Sequence, residues 1–101
     1  MPYIDPVKRP LFRDTAIELG QKAECAGDLN YIFTEIIHSY LRKVGTNYNN
    51  YNSVIGLLEC CKLELYRRQV ALYENLKITQ NGDVPDISEQ PNDQEISDVD
   101  H

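Results

Sequence analysis

Between Ser53 and Leu76 the chain carries one unbroken helical period. Stepping about 100° per residue from Val54, the positions Val54, Leu57, Leu58, Cys61, Leu65, Leu72 and Leu76 fall in one sector, the spacing of a core-facing stripe. A second stripe adjoins it, where Ile55, Glu59, Lys62, Tyr66, Val70 and Tyr73 mix apolar and aromatic groups with a carboxylate and an ammonium. A helix over about 51–77 is therefore predicted, with two faces to cover and Asn81-Gly82 as its stop.

Two shorter periods precede it. Residues 11–26 predict a first helix, with Phe12, Ala16, Leu19 and Ala23 inward and Arg13, Glu18, Gln21 and Lys22 left to water. Gly27 is expected to close that helix and Asp28 to cap the next, a tight corner. Residues 29–44 predict a second helix that buries Leu29, Ile32, Phe33, Ile36, Ile37, Tyr40 and Val44 and ends at Gly45. Tyr31, Glu35, His38 and Arg42 form a polar ladder along one edge of it. The Asn-rich stretch GTNYNNYN, residues 45–52, suits turns and caps, with Asn49 or Asn50 expected to cap the third helix. Three prolines in MPYIDPVKRP forbid an early helix and predict an extended arm, pinned by Tyr3 and Ile4, with Pro10 in a first helical turn. The expected architecture is all-α: a small three-helix bundle over residues 1–82 with an extended N-terminal arm.

Charge separates the rest. Seven of the sixteen acids lie from Asp83 onward with no Lys or Arg among them, so residues 83–101 carry −7. The remaining nine acids face ten basic residues, which leaves residues 1–82 at +1. With two prolines and four large aliphatic residues, this acidic tail cannot offset an ordering cost of about 1–2 kcal/mol per residue and is expected to be disordered. A near-neutral body has no clustered positive face for duplex nucleic acid. No apolar run reaches the roughly 20 residues of a membrane span. Three cysteines, two of them vicinal, and no signal peptide point to a reducing cytoplasm.

The candidate chemistry is sparse. Glu35 and His38 have the three-residue spacing of a di-iron carboxylate motif, and Glu59 is a possible third ligand, so a helical metal-dependent hydrolase is the rival reading. A single motif copy is not a site, and a solvated Glu–His pair explains it more simply. Cys61 falls in the core stripe, where a free thiol acts as a small hydrophobe. Glu59 and Lys62, three apart on a largely apolar face, are expected to pair with each other or with a ligand. Glu64 is placed to pair with Arg68 one turn on. If a ligand binds, the expected set is Asn30, Tyr31, Glu59, Lys62, Tyr66 and Arg67: helix-start N–H groups and cations for an anion, an aromatic face for a base. Neither metal nor cofactor is expected. The second stripe of the 51–77 helix, in a domain with few means of stabilising itself alone, predicts a homo-oligomer built on that helix.

The MPYI start, the corner Gly27-Asp28-Leu29-Asn30-Tyr31, the run YNSVIGLLECCKLELYRRQVALYE and the closing Asn81-Gly82-Asp83-Val84 resemble a family of short, uncharacterised proteins encoded by phages and prophages. The resemblance covers residues 1–84. The chain departs from it at Leu72, where members often carry proline, and in the acidic tail beyond Val84. It implies a phage setting, in which a small non-enzymatic accessory protein, with host defence among its targets, acts in the host cytoplasm. Such a protein would bind or sequester a small nucleotide-like anion or a host protein.

Overall fold

A computed structural model describes residues 2–88; the acidic tail expected over 83–101 lies outside the described residues from position 89. Four α-helices are present, α1 (Arg13–Lys22), α2 (Ala26–Val44), α3 (Tyr48–Leu65) and α4 (Ala71–Asn81), with a 3-10 turn at Arg9–Leu11 and a π turn at Tyr66–Val70. Since the π turn runs directly into α4, the third helical segment is the expected long one carrying an interruption. The all-α, three-helix expectation is met, and no strand occurs among the described residues. The chain divides into two compact units, Met1–Leu65 and Tyr66–His101.

In the first unit the arm is less extended than three prolines suggested. The Asp5 carboxylate accepts the Val7 N–H at 3.0 Å, the Lys8 N–H reaches the Asp5 carbonyl at 2.9 Å, and Arg9 Nε donates to the Ile4 carbonyl at 3.1 Å. These bonds curl residues 5–9 into the 3-10 turn that contains Pro10. The Tyr3 hydroxyl then donates to the Glu64 carboxylate near the end of α3.

The first corner differs from its expected position. Helix α1 stops at Lys22, where Ala23 turns extended (φ −68°, ψ 125°), and α2 starts at Ala26 behind an extended Cys25. Gly27 thus sits inside the first turn of α2 instead of closing α1. Asp28 is accordingly not the cap of α2 but lies in its first turn, where its carboxylate accepts the Glu24 N–H at 3.0 Å, upstream of the helix.

The second corner is held by Gly45 and two asparagines. Gly45 takes φ 113°, ψ 144°, a conformation that L side chains rarely adopt, and its N–H closes α2 on the Leu41 carbonyl at 2.8 Å. Asn47, not Asn49 or Asn50, caps α3, its Oδ1 accepting the Asn50 N–H at 2.9 Å. Asn50 faces the other way: its Nδ2 donates to the carbonyls of Val44 at 3.2 Å and Gly45 at 2.9 Å. One asparagine therefore serves the N-terminus of α3 and the other the C-terminus of α2, supplying partners that helix ends lack. Helix α2 packs against α3 across this corner.

Very little is buried. Among the described residues only Leu41 (8 % exposed) and Val54 (5 %) are, one on each side of the second corner. Most of the stripe expected to line a core is open: Leu29, Phe33, Ile36, Tyr40 and Val44 on α2 and Leu57, Leu58 and Leu65 on α3 are exposed, Cys61 with them, while Ile32 and Ile37 are half-buried. Leu41, absent from the expected stripe, holds the buried place on α2.

In the second unit the π turn Tyr66–Val70 leads into α4, which ends at Gly82 (φ 86°), whose N–H reaches the Ile78 carbonyl at 2.8 Å. A π turn wraps one more residue per hydrogen-bonded ring than an α turn. The wheel drawn from Val54 therefore applies only to Leu65, and Leu72 and Leu76 are read within α4 by itself. Lys77 Nζ lies 5.5 Å above the Tyr73 ring. Beyond the helix, Asp86 accepts the Ser88 N–H at 2.9 Å and its hydroxyl at 3.0 Å, which holds its carboxyl below the ordinary carboxylate range.

Candidate functional site

The six residues expected to hold a ligand fall into two groups. Asn30, Tyr31, Glu59 and Lys62 belong to the first unit, Tyr66 and Arg67 to the π turn that opens the second. Within the first unit the expected Glu59–Lys62 pair forms, Lys62 Nζ to Glu59 Oε1 at 2.9 Å, with both side chains more than half exposed. A bridge this open to water contributes little to stability and leaves both charges accessible. Tyr31 is 66 % exposed on α2, and the Asn30 carbonyl accepts the Thr34 hydroxyl at 2.8 Å.

Asn30 also lines a shallow groove of about 350 Å³ whose walls are otherwise chiefly apolar: Ala26, Leu29, Phe33 and Ile37 from α2, Leu58 from α3. Period alone places Leu29, Phe33 and Ile37 one turn apart. The groove follows because nothing within the unit covers them. Its chemistry is that of an unpartnered helix face with one amide at its edge.

The rival metal site does not assemble. Among the described residues no group of three His, Cys, Asp or Glu side chains is placed to hold a metal ion, so Glu35, His38 and Glu59 are not brought together as ligands. His38 instead borders a second groove, about 300 Å³, with Leu41, Arg42, Thr46 and Tyr51. His38 and Arg42 were visible in the sequence as neighbours in the polar ladder. Thr46 and Tyr51 were not, because they come from the loop and from α3 and meet α2 only when the corner folds.

The Glu64 carboxylate accepts the Tyr3 hydroxyl across nearly the whole length of the first unit's sequence. No helix among the described residues is long and apolar enough to cross a membrane.

A family model described as "Domain of unknown function (DUF6899)" matches residues 1–84. No curated protein and no solved structure matches the chain.

Proposed function

We infer a role from the surface of this chain, which belongs to the DUF6899 family, a family of unknown function. The reading is a non-enzymatic binding protein that works as a homo-oligomer. One observation carries it: Leu41 and Val54 are the only buried residues among those described, while Ile55, Leu57 and Leu58 stand open on α3 and Leu72, Tyr73 and Leu76 on α4. Side chains of this kind stabilise only once water is removed from them, and two buried residues are too small a core for a domain without staples. Its three cysteines are free. A second copy offers the same apolar helix in reverse, which is the self-complementary surface that symmetric association needs.

The setting in this reading is a phage or prophage, supported by the MPYI, GLLECCKLELYRR and NGDV motifs, with action in the host cytoplasm. The partner is a small nucleotide-like anion or a host protein, and in the first unit the exposed Glu59–Lys62 pair with Asn30 and Tyr31 is the recognition set.

Light scattering at micromolar concentration tests the oligomer. The expected mass is a multiple of 11.7 kDa for the wild type and a smaller one for Ile55→Glu, since a carboxylate has no place in an apolar interface. A monomeric wild type, or an Ile55→Glu variant of unchanged mass, overturns the reading.

A further inference from the structure

We propose that the groove at the α2–α3 corner, bordered by His38, Leu41, Arg42, Thr46 and Tyr51, is a binding site for the phosphate group of a small molecule. This goes beyond the Glu59–Lys62 reading, since the groove shares no residue with that set, and it holds whether or not the chain oligomerises.

The polar side chains that line the groove are an imidazole, a guanidinium and two hydroxyls, and no carboxylate is among them. Each can donate to an oxyanion, and a guanidinium matches two phosphate oxygens at once. His38 and Arg42 are one turn apart on α2, so they present to the same side. Among the described residues Arg42 has no ion pair and no hydrogen bond. Its position in the last turn of α2 suits the helix dipole, but Lys43 in that turn meets the same need without bordering the groove.

The frame around these donors is fixed. Thr46 lies between Gly45, held at φ 113°, and Asn47, held by the Asn50 N–H, while Asn50 ties back to Val44 and Gly45. Tyr51 follows in the first turns of α3, its N–H bonded to the Asn47 carbonyl at 2.9 Å. Leu41, 8 % exposed, closes the floor. A backbone frame fixed in advance lowers the ordering cost of binding. A volume of about 300 Å³ is at the lower end of small-molecule pockets, enough for a phosphate with a modest body attached.

The test is a two-dimensional NMR titration of the full chain with inorganic phosphate, with adenosine monophosphate, and with adenosine. Phosphate is expected to shift the amides of residues 42–51 and the His38 ring saturably. Adenosine monophosphate binding more tightly than phosphate, with adenosine inert, identifies an organic phosphate as the ligand; equal affinities identify the free ion. Arg42→Gln is expected to weaken either by about tenfold or more, the loss of a charge-assisted bidentate contact, and Tyr51→Phe to weaken it less. Lys22→Ala, which removes a cation of the exposed Glu18 bridge on α1, is expected to leave both unchanged. Absence of saturable shifts in the wild type, or an Arg42→Gln variant that keeps its fold by circular dichroism and binds as the wild type does, overturns the proposal. Failure here with an intact oligomer leaves the homo-oligomer reading untouched, since that rests on mass alone.

Discussion

The Tyr3 hydroxyl donates to the carboxylate of Glu64, joining the N-terminal arm to the last turn of α3. Between them lies the rest of the first unit, so this bond closes a loop that no helix-local interaction can close. Tyr3 is 47 % exposed, and water competes for the bond. In urea unfolding, Tyr3→Phe is expected to cost up to about 1 kcal/mol, and the same substitution in a Glu64→Gln background less. Equal costs in the two backgrounds would show that the hydroxyl does not couple to Glu64.

The corner between α2 and α3 is expected to be far less tolerant. Asn47→Ala removes the α3 cap and should lower stability by about 1 kcal/mol. Gly45→Ala forces a side chain into φ 113° and should cost roughly 1–3 kcal/mol. Thermal unfolding with both variants at one protein concentration checks the order, and Gly45→Ala at wild-type stability would contradict the backbone geometry.

Two helical glycines separate local from assembled stability. A Cβ at Gly20 or at Gly56 meets nothing within 4 Å. Alanine in a helix interior gains about 0.5–1 kcal/mol over glycine. Gly20→Ala is expected to show that gain. Gly56→Ala on α3 should show it only if no second copy packs closely there, so a loss of stability together with a loss of mass would locate the interface at Gly56.

The Glu59–Lys62 bridge should matter little to folding. An exposed pair spaced i,i+3 is worth about 0.2–0.5 kcal/mol. Lys62→Ala is therefore expected to leave the melting temperature nearly unchanged, and raised salt should erase the small difference that remains. A drop of several degrees would mean that Lys62 has a partner beyond Glu59.

An oligomer stabilised by association melts in a concentration-dependent manner. Between micromolar and hundred-micromolar protein the midpoint is expected to rise by several degrees, and in Ile55→Glu not at all. A flat wild-type midpoint would argue that the open apolar stripe is covered by something other than a second copy.

What the sequence disclosed was period, and what it concealed was register. Helix α2 ends at Gly45 as expected because glycine there answers a backbone demand that no other residue meets. Gly27-Asp28 misled because glycine followed by an acid reads equally as a stop and a cap or as the first turn of a helix already begun; the Glu24 N–H on Asp28 decides for the second. Asn47, Asn49 and Asn50 are chemically alike, and only the folded corner distinguishes the cap of α3 from the clasp on α2. The π turn was invisible because Tyr66-Arg67-Arg68-Gln69-Val70 contains no breaker. Of the candidate ligand residues, the Glu59–Lys62 pairing was legible since it is local, whereas the groove of His38, Arg42, Thr46 and Tyr51 joins three segments across a turn.

Gly45, Asn47 and Asn50 also bear on the order of events during folding. Both buried side chains flank a connection of only Gly45–Asn47, so α2 and α3 meet after closure of a short loop, an event of microseconds or less. The arm, by contrast, finds Glu64 only after the intervening chain has been gathered, which makes it a late contact by the logic of sequence separation. Variants at the corner are thus expected to slow refolding, and variants at Tyr3 to quicken unfolding instead. For a chain that leaves so many apolar side chains open, an early-formed hairpin has a further effect: it is as a preformed helix pair, not as loose chain, that this surface is first offered to any other molecule.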